Sequence, residues 1–184
     1  MNTLLNGIDL AALAQFEEGI SHNPTNAKAK FGVQTRWEGQ TRTVATLKSY
    51  DLCGKTYERD FKIEADEPNE LLGRNTAPNP QELLMAALNA CMSVGYVVTA
   101  ATKGVTVRSL EIETMGELDL RGLLGLDENV NPGYDEVHYT VRIDADGTPE
   151  QMEEIHQTVI RTSPNFSSFS KAIRMVPTLV VVGK

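Results

Sequence analysis

Apolar positions along this chain repeat with two different periods, and the switches between them mark out its elements. Residues 8 to 18, IDLAALAQFEE, place Leu10, Leu13 and Phe16 or Ala14 on one face of a short helix that Asp9 can cap. Gly19 and the SHNPTNAK stretch then break it. From Ala29 the period becomes two. FGVQTRWEG, TRTVATLKSY and KTYERDFKIEA predict three strands, with turns at Glu38-Gly39 and from Asp51 to Gly54. In the third, Tyr57, Arg59, Phe61 and Ile63 share one face. Residues 66 to 78 form a polar loop.

The next stretch organises the chain. NPQELLMAALNACMSVGYVVTAATK, from Asn79 to Lys103, reads as one long helix. Asn79 is placed to cap it, Pro80 suits the first helical position, and Glu82 completes a capping box. No charged residue occurs between Leu83 and Thr102. At about 1.5 Å per residue the helix spans roughly 36 Å. Its length raises the question of a membrane span, but its Ala, Asn89, Ser93, Thr99 and Thr102 favour a helix buried on most sides in a protein core. Leu84, Leu88, Cys91, Gly95 and Val98 fall on one stripe, which puts a thiol midway along it.

Downstream, VTVRSLEIETMGELDL predicts a strand with a bend, residues 119 to 134 a loop, and DEVHYTVRIDAD a strand with Val137, Tyr139, Val141 and Ile143 facing inward. Thr148, Pro149 and Gln151 repeat the capping grammar and open a helix with Met152, Ile155, Val159 and Ile160 inside. That helix stops near Thr162, ahead of Pro164. NFSSFSKAI adds a short turn of helix, and MVPTLVVVG ends the chain as a strand at an edge or bulge. The order β-β-β-α-β-β-α-β predicts an α+β domain over residues 29–184, with residues 1–28 as an N-terminal helical extension.

The chain has 184 residues, enough for one ordinary core. A formal net charge of -8 argues against nucleic acid or an anionic membrane as partner. No basic segment followed by an apolar run opens the chain, so the cytoplasm is expected, where two cysteines stay free thiols. His22, His138 and His156 lack metal-ligand spacing, and neither a CxxC nor a phosphate-binding glycine loop occurs; no metal or cofactor is expected.

NPQELLMAALNAC, supported by WEG at Trp37 to Gly39 and by Ser163-Pro164 after the second long helix, resembles the OsmC/Ohr family of thiol-dependent hydroperoxide reductases. The element order fits from about Phe31 onward. The resemblance implies antiparallel sheets wrapped around a long buried central helix in an intertwined homodimer, with two sites between subunits. It implies that a cysteine attacks the peroxide and becomes a sulfenic acid, that a second cysteine resolves it, and that an arginine and a glutamate support the thiol.

Carried over residue by residue, Cys91 matches the reactive cysteine. Ser163 stands where the resolving cysteine is common, and it cannot form a disulfide. Gln81 occupies the glutamate position, with Glu82 one place later, although the cap competes for that carboxylate. Arg42 is the first candidate for the arginine and Arg36 the second; both are otherwise solvated strand residues. A buried thiol needs such a cation to stay ionised. Without the motif Cys91 reads as an inert core residue, and Cys53 reads as incidental to its turn. Two functions follow from the resemblance. One is a one-cysteine peroxide reductase acting on a small hydrophobic peroxide, rescued by an external thiol. The other is a non-enzymatic binding protein or redox sensor with an apolar pocket at the dimer interface.

Overall fold

Local capping chemistry sets the longest element of the computed structural model, which describes residues 4–183. Helix α2 runs Pro80–Thr102. Glu82 N donates to Asn79 Oδ1 at 2.8 Å and Asn79 N donates to Glu82 Oε2 at 2.7 Å, so the box closes as its residue types require. Helix α4, Pro149–Thr162, is opened in the same way by Thr148 and Gln151. The short α5, Pro164–Ser170, follows directly.

Alternation sets the strands. β3 (Ala29–Phe31) and β4 (Gln34–Trp37) lie along one edge of β5 (Thr43–Leu52), and β6 (Lys55–Ala65) lies along the other, all antiparallel. The first expected strand is thus split at Gly32-Val33. The β5–β6 turn is tight, with Cys53 at φ 51 and Gly54 at φ 74, the left-handed pair of a two-residue hairpin. A second sheet pairs β7 (Val107–Gly116) with β8 (Val137–Ala145). On β8 the expected alternation appears, with Val137, Tyr139, Val141 and Ile143 turned inward.

The core lies between α2, α4 and the β7–β8 sheet, around Leu88, Met92, Tyr96, Val105, Ile155 and Val159. Helices α2 and α4 run antiparallel: Gly95 faces Val159, and Lys103 Nζ meets Glu154 Oε1 at 2.5 Å. The buried row of α2 is Leu88, Met92, Tyr96 and Ala100, at steps of four. This corrects the expected stripe, which shares only Leu88 with it; Cys91 and Gly95 lie on the flank toward α4. Burial on most sides is not found within one chain either. Leu84 is 44% and Val94 64% exposed, so neither is buried among the described residues.

Three further expectations change. Helix α1 runs Leu10–His22, through Gly19, and stops only at Asn23, which caps the next turn. The expected loop after β7 contains a one-turn helix α3, Leu120–Leu123. The C-terminal segment forms no strand among the described residues; Leu179 is 87% exposed. Its apolar composition suits a strand, but a strand needs a partner edge and none pairs with it among the described residues. At the other end, β1 (Leu4–Leu5) and β2 (Ile8–Asp9) form a small hairpin tied to the domain. At its turn Asn6 donates to Val105 O and accepts from Val107 N, both at 2.9 Å.

Candidate thiol site

Cys91 sits in the middle of α2, half-buried, on the flank facing the α4–α5 junction. Its Sγ lies 3.3 Å from Ser163 Oγ, across 72 residues of chain. Ser163 is 5% exposed and serves both helices. Its N–H donates to Val159 O at 2.9 Å, ending α4, while its Oγ accepts from Phe166 N at 3.2 Å, capping α5. Asn165 Nδ2 donates to Ala87 O at 2.7 Å, clamping α5 to α2 one turn before the thiol. Close approach of the helices is possible because Gly95 has no side chain. A Cβ there would lie 3.2 Å from Val159 Cγ1.

The other sequence candidates are placed differently. Glu82 is engaged by the cap. Gln81 lines a cleft of about 630 Å³ with Leu84, Leu88, Phe166 and Phe169 but also Asp135 and Glu136, and its nearest lining residue on α2, Leu88, lies one turn before Cys91. Arg42 is taken up by its own sheet and loop. Its Nη2 meets Glu64 Oε2 at 2.9 Å and its Nη1 donates to Thr76 Oγ1 at 2.9 Å. Arg36 lies opposite Val44 in β5, next to Glu64 on the far side. Among the described residues, Ser163 is the one hydrogen-bond partner of the Cys91 sulfur, and no Lys, Arg or His of the same chain reaches it.

The sequence pattern of the OsmC-like protein family matches residues 73–177, more than half of the chain, and spans both Cys91 and Ser163. This chain belongs to the OsmC family. Its fold is similar to that of three solved structures. An OsmC-like protein from Mycoplasma pneumoniae is 15% identical with a TM-score of 0.61, covering 77% of this chain and 87% of that one. An OsmC-like protein of unknown function from Vibrio cholerae is 16% identical, with a TM-score of 0.56 and coverage of 76% and 92%. An organic hydroperoxide resistance protein from Legionella pneumophila is 15% identical, with a TM-score of 0.51 and coverage of 77% and 91%. At such identities the likeness is one of fold. No curated protein matches the sequence.

Three features of this OsmC-family chain escaped the sequence. Asp66, 1% exposed, accepts from Thr41 Oγ1 and Thr76 Oγ1, both at 2.7 Å, and from the amides of Glu67, Arg74 and Thr76. The hydroxyls of Thr41 and Thr76 hold its carboxyl well below the usual carboxylate range, and the loop from 66 to 78 is knotted around it. Tyr96, buried on α2, shares a hydrogen bond with His156 Nδ1, and burial pushes its phenol well above the ordinary value. Arg59 on β6 lies over the Tyr50 ring, 5.0 Å from the centroid. Asp66-Glu67-Pro68 ahead of a capped helix was a visible turn signal; the other two depend on strand and helix partners.

Proposed function

We propose that this OsmC-family protein is a one-cysteine thiol peroxidase that reduces organic hydroperoxides as a homodimer in a reducing compartment. The observation that carries this reading is Cys91 Sγ at 3.3 Å from the buried Ser163 Oγ, a sulfur held at the junction of three helices inside the family's matched region. The Cys91 thiolate attacks the terminal oxygen of the hydroperoxide. The O–O bond breaks, an S–O bond forms, and the leaving alkoxide takes a proton to become an alcohol. Cys91 is left as a sulfenic acid, oxidised by two electrons. Ser163 can hydrogen-bond either sulfur state but cannot displace the oxygen as a second thiol would. An external thiol therefore forms a mixed disulfide with release of water, and a second thiol returns Cys91 to its reduced form. The apolar side of the cleft, Leu84, Leu88 and Phe166, favours a hydrophobic peroxide over hydrogen peroxide.

A homodimer is supported by what one chain leaves uncovered. The sheet of β3 to β6 exposes Phe31, Trp37, Phe61 and Ile63, while α2 exposes Leu84 and Val94. Surfaces of this kind mark interfaces. Laid against each other in a two-fold pair, they would wrap the helix and offer edges to the apolar tail.

The test is to mix reduced protein with cumene hydroperoxide and follow Cys91 by mass spectrometry, with Cys91→Ser as control. Rapid stoichiometric sulfenic acid formation is expected. A rate equal to that of a free thiol would remove the peroxidase reading. It would leave the second one, a binding protein or redox sensor, which the same cleft of about 630 Å³ supports.

A further inference from the structure

The cleft beside the thiol has a direction. Its lining residues on α2 include Gln81, Leu84 and Leu88, at steps of three and four, and the next position on that stripe is Cys91. At about 1.5 Å per residue, Gln81 sits roughly 15 Å from Cys91 along the helix axis. The walls run the same way. Asn165 Nδ2 donates to Ala87 O, which sets Phe166 and the start of α5 beside the thiol end. Gly116 pairs with Val137, and a Cβ on Gly116 would lie 2.7 Å from Tyr134 Cδ1 and 3.3 Å from Met85 Cε. The segment entering β8 therefore lies beside the opening turns of α2. Phe166 marks the thiol end of the cleft, and Asp135 and Glu136 mark the far end.

That far end carries negative charge without compensation. Asp135 and Glu136 are the charged residues of the lining, which holds no Lys, Arg or His among the described residues. Asp135 Oδ1 accepts from Asn131 Nδ2 at 2.8 Å, a neutral donor that leaves the charge in place. Glu136 Oε1 meets the exposed His138 Nε2 at 2.9 Å, an ion pair only where that imidazole is protonated. Arg121 is engaged by Asp119, and Arg142 by Glu111 and Glu113. The helix end nearby is no anion site either. Of the amides that open α2, Asn79 N donates to Glu82 Oε2 and Glu82 N donates to Asn79 Oδ1. An anionic group that reached this end would meet two carboxylates and no cation.

We propose that the cleft selects hydroperoxides whose far end is uncharged, such as alkyl, aryl or esterified lipid hydroperoxides, and turns away free fatty-acid hydroperoxides, with Asp135 and Glu136 as the specificity-determining residues; this rests on the thiol-peroxidase reading above. With the O–O group at Cys91 and the hydrocarbon along Leu88 and Leu84, the carboxylate of a fatty acid falls beside Asp135 and Glu136 as a like charge. An ester at the same place keeps the apolar contacts and escapes the repulsion. Specificity here is a difference between two binding free energies, set by what the site rejects. The chemistry at sulfur is the same for both.

Matched substrate pairs test this in a Cys53→Ser background. The readout is the rate of sulfenic acid formation at Cys91 with linoleic acid hydroperoxide, divided by the rate with its methyl ester and referred to the same ratio for a free neutral thiol. The acid is expected to react about five- to tenfold more slowly than the ester, the scale of two unit charges acting over several ångströms in a wet cleft. Asp135→Asn combined with Glu136→Gln is expected to bring the ratio to within about twofold of one. Both positions are exposed, so neither change disturbs the core. Glu58→Gln, an equal loss of charge on β6, is expected to leave the ratio where it was. Alkylation of Cys91 by 6-maleimidohexanoic acid and by its methyl ester involves no peroxide and should show the same preference and the same response to the variants. Equal rates for acid and ester in the wild type, a ratio unmoved by the double change, or a ratio moved as far by Glu58→Gln would overturn the assignment. A wild-type protein no faster than a free thiol with either hydroperoxide would instead refute the function, and the maleimide pair would still decide the charge selection.

Discussion

Replacing Ser163 by Cys should turn a one-cysteine site into a two-cysteine site. The present contact is 3.3 Å between Sγ and Oγ, and a disulfide joins its sulfurs at about 2.05 Å, so the side chains must close by roughly 1 Å. The bridge would enclose a loop of 72 residues, worth roughly 4 kcal/mol in the chain-entropy account before any strain. Against that stands the α5 cap. Ser163 Oγ accepts from Phe166 N, and losing such a cap costs about 1 kcal/mol. The two terms separate by redox state. Oxidised Ser163→Cys should gain about 3 kcal/mol net, which for a domain of this size is roughly 6 to 12 °C in melting temperature. Reduced Ser163→Cys should melt about 2 to 4 °C below wild type. The assay is thermal unfolding at one fixed protein concentration, with and without reductant, beside mass spectrometry after one equivalent of peroxide. A loss of two hydrogens and resistance to overoxidation are expected. Sulfenic acid that persists, or equal melting in both redox states, would refute the placement of residue 163 against the thiol.

Other expectations follow from the same packing. Gly95→Ala adds about 1 kcal/mol of helix propensity but presses a methyl 3.2 Å from the fully buried Val159, at about 1 to 3 kcal/mol. The net is a loss of about 1 kcal/mol, and combining it with Val159→Ala should cost less than the sum of the two single changes in a denaturant cycle. Asp66 has a depressed folded carboxyl, so its stabilisation is present above the unfolded value near 3.9 and is lost as pH falls from there. Hydrogen exchange should show the Arg74 and Thr76 amides losing protection on acidification. In Asp66→Asn they should be unprotected already at neutral pH, and unchanged protection there would contradict the knot. The raised phenol of Tyr96 acts in the opposite sense, with stability present below about 10 and declining as pH rises above it. Ultraviolet titration should contain a late-ionising tyrosine that disappears in Tyr96→Phe; an unchanged curve would reject its burial against His156.

Much of the fold was legible because the deciding interactions are short. Asn79 and Glu82, or Thr148 and Gln151, satisfy each other's amides within one turn, so residue types alone place both helix starts. Alternation on β8 and the stop before Pro164 are equally local. The motif around Cys91 also pointed to the residue at 163. What stayed hidden depends on partners far along the chain. The buried row of α2 is chosen by where α4 and the β7–β8 sheet lie, not by the helix, whose apolar residues leave several stripes open. Arg36, Arg42 and Arg59 look alike in a strand pattern. Pairing across β5 and β6 gives one of them Glu64 and leaves the Nε of another, Arg59, without an acceptor among the described residues.

The amino-acid order alone determined the elements, their caps and the position of the thiol, since those follow from hydrogen bonds and side-chain periods spanning a few residues. Tertiary structure decided that Cys91 meets Ser163, that Glu64 occupies Arg42, and that the C-terminal apolar segment joins no edge among the described residues. Such contacts depend on how distant surfaces compete for one another, which no local pattern encodes.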